Sequence, residues 1–263
     1  MTLEYTSIPF GKNIADDDLF QYSQLQELSR LLVLTAEHRS ILLATGQSGV
    51  GKTTAIRAAI GLLPTNKYSV IYLGQDQHGC NLMRRFASRL GLQPKRYRQH
   101  VIMQIDQFLS DNLMEKGKTP LVVVDEAHLL DDATLEDLRL MTNANFDKTS
   151  PVAMVLLGQL PLRAKLKSAG LEALSQRLRF RYALEGFTED ETAAYIKHHL
   201  ALAGLPSDLF SPDAIRQIFL ASRGIPREIN NCAIAGFLKA QTDGLPCIDI
   251  KVMRKVLAQR DLN

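Results

Sequence analysis

Short, largely apolar runs alternate along this chain with longer stretches whose apolar residues recur every three or four positions. The runs are ILLAT (41–45), SVIYL (69–73), LVVV (121–124), VAMVLL (152–157) and LRFRYAL (178–184). Their length and their freedom from helical spacing predict five strands. Helical spacing is found over 19–38, 52–63, 81–90, 101–116, from Asp131 or Asp132 to 141, and over 160–176. Pro64 and Gly91 stand where two of these helices should stop. Residues 1–18 are polar and irregular, with Pro9-Phe10-Gly11 as a turn. Strands without polar alternation are buried on both faces, which predicts a parallel sheet covered by helices on each side. After Gly186 strand patterns cease, and helices are expected near 188–203, 211–222, 226–241 and 248–260. The expected architecture is α/β: a five-stranded parallel αβα sandwich with an N-terminal helical segment (1–186), then a small helical domain (187–263).

Composition narrows the class without choosing a function. Of 263 residues, 46% are hydrophobic and 22% charged, as expected of a soluble globular protein. The net charge of +3 permits an acidic partner but does not demand one. Cys80, Cys232 and Cys247 are scattered, so a reducing cytoplasm is expected and no disulfide framework. The start, MTLEYTSIPFGKNIADDD, lacks the basic and apolar regions of a signal peptide. No apolar run is long enough to cross a bilayer, so no membrane partner is expected.

Chemistry enters at GQSGVGKT (46–53), which has the spacing G-x-x-x-x-G-K-T between a strand and a helix. The glycines let successive backbone N–H groups converge on one anion, and the following helix adds its positive end. Gly46, Gln47, Ser48, Gly49, Val50, Gly51, Lys52, Thr53 and Thr54 would cradle a nucleotide's phosphates. Lys52 would reach the β- and γ-phosphates, and the Thr53 hydroxyl would ligate Mg²⁺. A second motif, LVVVDEAH (121–128), ends an apolar strand in two carboxylates. Asp125 would hold the Mg²⁺, and Glu126 would accept a proton from the attacking water. A binding switch has no need of Glu126, so its presence predicts hydrolysis of ATP to ADP and phosphate. A DEAH-box helicase needs a second RecA-like domain, and the tail after 186 is too short to be one.

The order of these motifs resembles the AAA+ ATPases. The phosphate loop and the DEAH strand are followed by a strand ending in a polar residue (VAMVLLGQ, 152–159), an arginine before the last strand (LSQRLRFRYAL, 174–184) and G-x-P-R in a helical lid (GIPREIN, 224–230). Several stretches are similar to the ExeA/TniB/TnsC-type group: PFGKNI, LLGQLPLRAKL, FTEDETAAYIKHHLALAG and FSPDAIRQIFLASRGIPREINNCA. The resemblance implies that Gln159 is the sensor beside the γ-phosphate, although a Gln can also merely end a strand. It implies that Arg177 is the arginine finger given to a neighbouring subunit. Arg179 and Arg181 compete for that role, since on a strand all three share one face. It also implies that Arg227 is the lid arginine sensing the γ-phosphate, with ATP bound between domains and at a subunit boundary. By the same resemblance, the stretch Ile8–Phe10 and Tyr22 are candidates for the adenine pocket.

Transposon-encoded members of the group direct a transposase to its DNA target. The resemblance therefore implies a bacterial, cytoplasmic transposition regulator. It would assemble as a ring or filament on double-stranded DNA with ATP and would recruit a transposase. NLMRRFASRLGLQPKRYR (81–98) carries Arg84, Arg85, Arg89, Lys95, Arg96 and Arg98 without an acidic residue. Such a segment can contact DNA phosphates or serve as a solvated helix face. The alternatives are an ExeA-like secretion-system ATPase and a relative of helicase loaders or replication initiators.

Overall fold

The computed structural model describes residues 9–11, 14–74, 82–143 and 150–260. Ile8, Lys12, Asn13, Cys80 and Asn81, all named above, lie outside the described residues. By contact density the chain divides into two compact units.

The first to describe is the sheet unit, Ser23–Gln47 with Lys52–Leu184. Its elements are α1 (Ser23–Glu37), β1 (Ile41–Gly46), α2 (Lys52–Gly61), β2 (Tyr68–Leu73), α3 (Leu82–Arg89), α4 (Arg98–Lys116), β3 (Thr119–Val124), α5 (Asp132–Leu140), β4 (Ala153–Gly158), α6 (Pro161–Lys165), α7 (Glu172–Arg177) and β5 (Leu178–Leu184). The strands form one parallel sheet in the order β2-β3-β4-β1-β5. The three inner strands are the most apolar, and β1 and β4 are buried throughout. The edge strands β2 and β5 both carry exposed positions, among them Ser69, Arg179 and Arg181, which is where polar residues interrupt their apolar pattern. Ile41, Leu43, Val122, Val124, Met154 and Leu156 pack on one face with Phe86, Ile105 and Leu138 of α3, α4 and α5. On β1, Leu42 and Ala44 point the other way, and α1 packs against α2, β4 and β5.

Local chemistry sets most helix ends. Asp131 caps α5, its side chain accepting from the Thr134 N–H at 2.7 Å. Three boundaries differ from expectation. Asp16–Asp18 form a 3-10 turn, so α1 starts only at Ser23. The helix expected from 101 begins at Arg98. The single helix expected over 160–176 is two short ones, separated by Gly170 at φ +103°, a conformation that a helix cannot hold.

The helical unit comprises the described residues up to Tyr22, Ser48–Gly51 of the phosphate loop, and 185 onward. Its helices are α8 (Glu189–Leu202), α9 (Pro212–Ser222), α10 (Pro226–Asp243) and α11 (Ile250–Arg260). Thr188 and Glu191 form a capping box at the start of α8, and Pro212 and Pro226 open α9 and α10. Grouping the N-terminal residues here differs from the expectation of an N-terminal segment on the sheet domain. Phe10 explains it: this ring is 2% exposed and lies in one core with Phe187, Ile196, Phe210, Ile229 and Phe237.

Phe10 stacks on His199 at 5.2 Å, and the Tyr195 ring meets His199 edge-on at 4.4 Å. Burial, and then the neighbouring His198, push the His199 pKa down to about 4. His199 is therefore neutral when folded and takes a proton more readily when unfolded. Its contribution is intact above its ordinary pKa near 6.5 and is lost as pH falls toward 4. We expect the helical unit to lose about 2 kcal/mol between pH 7 and pH 5 from this group. Denaturant unfolding at the two pH values should show that loss, and His199→Leu should flatten it. An equal pH slope in both proteins would contradict it.

Candidate active site

The loop after β1 turns through Gly49 at φ +81° and Gly51 at φ +94°, left-handed values that suit glycine and curl the backbone. A Cβ on Gly49 would lie 2.8 Å from the Arg227 Cβ, so a side chain there is excluded by space as well. Lys52 is 6% exposed, and its Nζ donates to the Gly46 and Gln47 carbonyls at 3.0 and 2.9 Å. Those bonds offset the cost of burying the ammonium and hold it under the loop. Val50 is buried, whereas Gln47, Ser48, Thr53 and Thr54 are exposed. The loop thus presents polar groups at the N-terminus of α2, where the helix favours an anion.

Beside the loop, β3 ends in the acidic pair. The Thr53 hydroxyl donates to Asp125 Oδ2 at 2.7 Å, joining groups 72 residues apart. Asp125 Oδ1 accepts the Glu126 N–H at 2.8 Å. A threonine that gives its proton to Asp125 keeps its lone pairs available, so the pair fits a hard divalent cation such as Mg²⁺. Glu126 has φ +52°, unusual for a residue with a side chain, and it opens a 3-10 turn over Ala127–Leu129. Its Oε2 is 3.3 Å from His128 Nδ1. That same nitrogen is 3.5 Å from the N–H of Gln159, the residue following β4. Glu126, His128 and Gln159 are thus brought together. The D-E-x-H spacing was the sequence signal for His128, and it did not disclose the contact with Gln159.

The arginines divide. Arg227, in the first turn of α10, gives its backbone N–H to the Gly49 carbonyl at 3.2 Å and its Nη1 to the Ser48 hydroxyl at 3.2 Å. Arg177 ends helix α7 and reaches Thr142 Oγ1 at 3.4 Å. The expectation that Arg177, Arg179 and Arg181 share one strand face is therefore corrected, because β5 begins only at Leu178. Arg179 and Arg181 are exposed on β5, with Arg181 bonded to the Ser175 carbonyl at 2.7 Å. Phe10 is enclosed in the helical core and offers little surface to an adenine, while Tyr22 packs on Phe20 and Phe187.

The basic segment is not uniform. Helix α3 buries Leu82, Met83, Phe86 and Ala87 and exposes Arg84 and Arg89. Lys95 and Arg96 are exposed on the following loop, with Arg96 over the Tyr97 ring at 5.7 Å. Arg85 is half-buried and donates to the Gly74 carbonyl. Arg98 pairs with Asp137 at 2.6 Å, which largely commits its charge within the fold.

The AAA domain family matches residues 35–166, half of the chain. The chain belongs to that family. It is an AAA+ ATPase, and membership implies nucleotide hydrolysis. General secretion pathway protein A of Aeromonas hydrophila is 32% identical over 192 residues, covering 72% of this chain and 35% of that protein. The chain thus spans about a third of that relative's length. Among solved structures, Aeropyrum pernix ORC2 in ADPNP–ADP complexes has a TM-score of 0.67 at 16% identity, covering 95% of this chain and 70% of that one. Aeropyrum pernix ORC1 in complex with DNA also has a TM-score of 0.67 at 16% identity, covering 92% and 66%. At such identities these likenesses show the fold alone. The secretion branch of the group expected from sequence is thus represented among the relatives. Among the described residues, no helix of this AAA+ protein is long and apolar enough to cross a membrane.

Proposed function

We propose that this AAA+ ATPase hydrolyses ATP with Mg²⁺ and uses the cycle to assemble on, and leave, double-stranded DNA. The observation that carries the hydrolytic half is the 2.7 Å bond joining Thr53 to Asp125, with Glu126 next in sequence and paired with His128. Lys52 and the loop N–H groups bind the phosphates. Thr53 and Asp125 hold the Mg²⁺, which would draw charge from the phosphate oxygens. Glu126 takes the proton of the attacking water, and Gln159, whose backbone N–H approaches His128 Nδ1, turns its side chain to the γ-phosphate end. Arg227 ties α10 to Ser48 and Gly49, so the loop's occupancy is felt by the helical unit. Arg177 serves a neighbouring copy in a homo-oligomer, ring or filament. The division of labour we favour gives nucleotide chemistry to the sheet unit and the lid role to 187–263, whose core also holds the N-terminal Phe10.

The DNA half rests on the exposed cations Arg84, Arg89, Lys95 and Arg96, which would contact phosphates without reading sequence. In the group this chain resembles, such a protein marks target DNA for a transposase, and we take transposition regulation as the biological role. Replacing Arg84 and Arg89 together by Gln should lower the slope of log affinity against log salt by about 2. Anisotropy titrations across a salt series measure it, and an unchanged slope would remove α3 from the DNA surface. The 32% identity to General secretion pathway protein A favours a second reading, an ATPase of a secretion assembly. ATP turnover that is indifferent to DNA, in a protein that binds none, would select that reading.

A further inference from the structure

The motifs do not account for a tyrosine at the end of β2. The Tyr72 hydroxyl donates to Asp125 Oδ2 at 2.8 Å, the oxygen that also accepts from Thr53 at 2.7 Å. With the Glu126 N–H on Oδ1, the carboxylate has donors on both oxygens. The backbone fixes the tyrosine's place: Tyr72 is in register with Val123, and the Asp125 N–H donates to the Leu73 carbonyl at 2.9 Å. Gly74 provides the seat for the ring. A Cβ there would lie 2.8 Å from Tyr72 Cε1 and 3.2 Å from its hydroxyl oxygen. Arg85 reaches across from α3 to the Gly74 carbonyl, so the seat is anchored to a packed helix. A phenol keeps its proton throughout the neutral range and can donate it to the carboxylate.

Hydrogen bonds to an ionised carboxylate are among the stronger ones, and two on one oxygen leave the group little rotational freedom. We propose that Tyr72 is a positioning residue for the metal site: seated on Gly74, its hydroxyl holds Asp125 in place beside Thr53. The inference rests on the magnesium-nucleotide reading of that site. It explains why a half-exposed aromatic ring folds back onto a glycine. Arg85 gains a structural task as well, linking α3 to the carboxylate through two intervening residues, Gly74 and Tyr72.

The test is a magnesium titration of the full chain with a fluorescent, non-hydrolysable ATP analogue, which needs no turnover. Tyr72→Phe removes only the hydroxyl. Gly74→Ala keeps the hydroxyl but displaces the ring. Each variant should raise the magnesium concentration for half-maximal analogue binding by about 3- to 10-fold. Magnesium-free affinity and melting temperature should stay at parent values, which general damage to the fold would not allow. The double variant should be no worse than the poorer single variant, because both act on one contact. Parent-like or lower half-saturation in Tyr72→Phe overturns the proposal. If the parent itself shows no magnesium-dependent binding, the reading of the site as a nucleotide site fails instead.

Discussion

Glu126→Gln should reduce ATP hydrolysis by at least about 100-fold while leaving ATP bound. The amide can still accept a hydrogen bond from water but cannot take its proton. The substitution keeps the size of the side chain and its contact range with His128, 3.3 Å away in the parent. It also keeps the backbone at φ +52°, a conformation that both residues must tolerate equally. Loss should therefore fall on the chemical step and not on binding. Single-turnover hydrolysis, with retained nucleotide measured in parallel, separates the two. If assembly follows the ATP state, the variant should also accumulate long-lived complexes on DNA. Hydrolysis within a few-fold of the parent would move the general-base role away from Glu126.

Lys52→Ala should have the second large effect, on binding itself. The ammonium is held by the Gly46 and Gln47 carbonyls beneath the loop, where it is already desolvated. A charge placed in that way interacts with phosphate more strongly than one on a flexible exposed side chain. Its removal should weaken ATP binding by about 2–4 kcal/mol, roughly 30- to 1000-fold. The variant should remain folded, because the lost ammonium removes its own desolvation cost as well as its bonds. Calorimetric titration with ATP measures the affinity, and circular dichroism checks the fold. Binding of ATP at parent strength would mean that the phosphates do not lie against this loop.

These two candidate residues stand out in the sequence because their motifs are contiguous. A loop of eight residues and a strand ending in two acids each carry their meaning in neighbouring positions. The five strands were readable for a similar reason, since burial on both faces leaves a local apolar run. Contacts between distant positions left no such trace. Tyr72 meets Asp125 across 53 residues, and Gln159 meets His128 across 31. Neither tyrosine nor glutamine is unusual where it stands. The break between α6 and α7 was missed because Gly170 lies within a stretch that otherwise keeps helical spacing. That break also moves Arg177 off the strand that carries Arg179 and Arg181. Phe10 illustrates the same limit. An aromatic residue in a polar N-terminal stretch reads as a loop residue, yet its ring fills the core of the helical unit. The basic segment was legible as charge but not as commitment: only structure separates Arg98, paired with Asp137, from the exposed Arg84 and Arg89.

The central claim is that the nucleotide state controls attachment to DNA. It is tested most directly by measuring double-stranded DNA binding with ATP, with ADP and without nucleotide, each over a salt series. The account predicts tight binding with ATP alone, weakening steeply as salt rises. Equal binding in all three states, or none in a protein that still hydrolyses ATP, would contradict it.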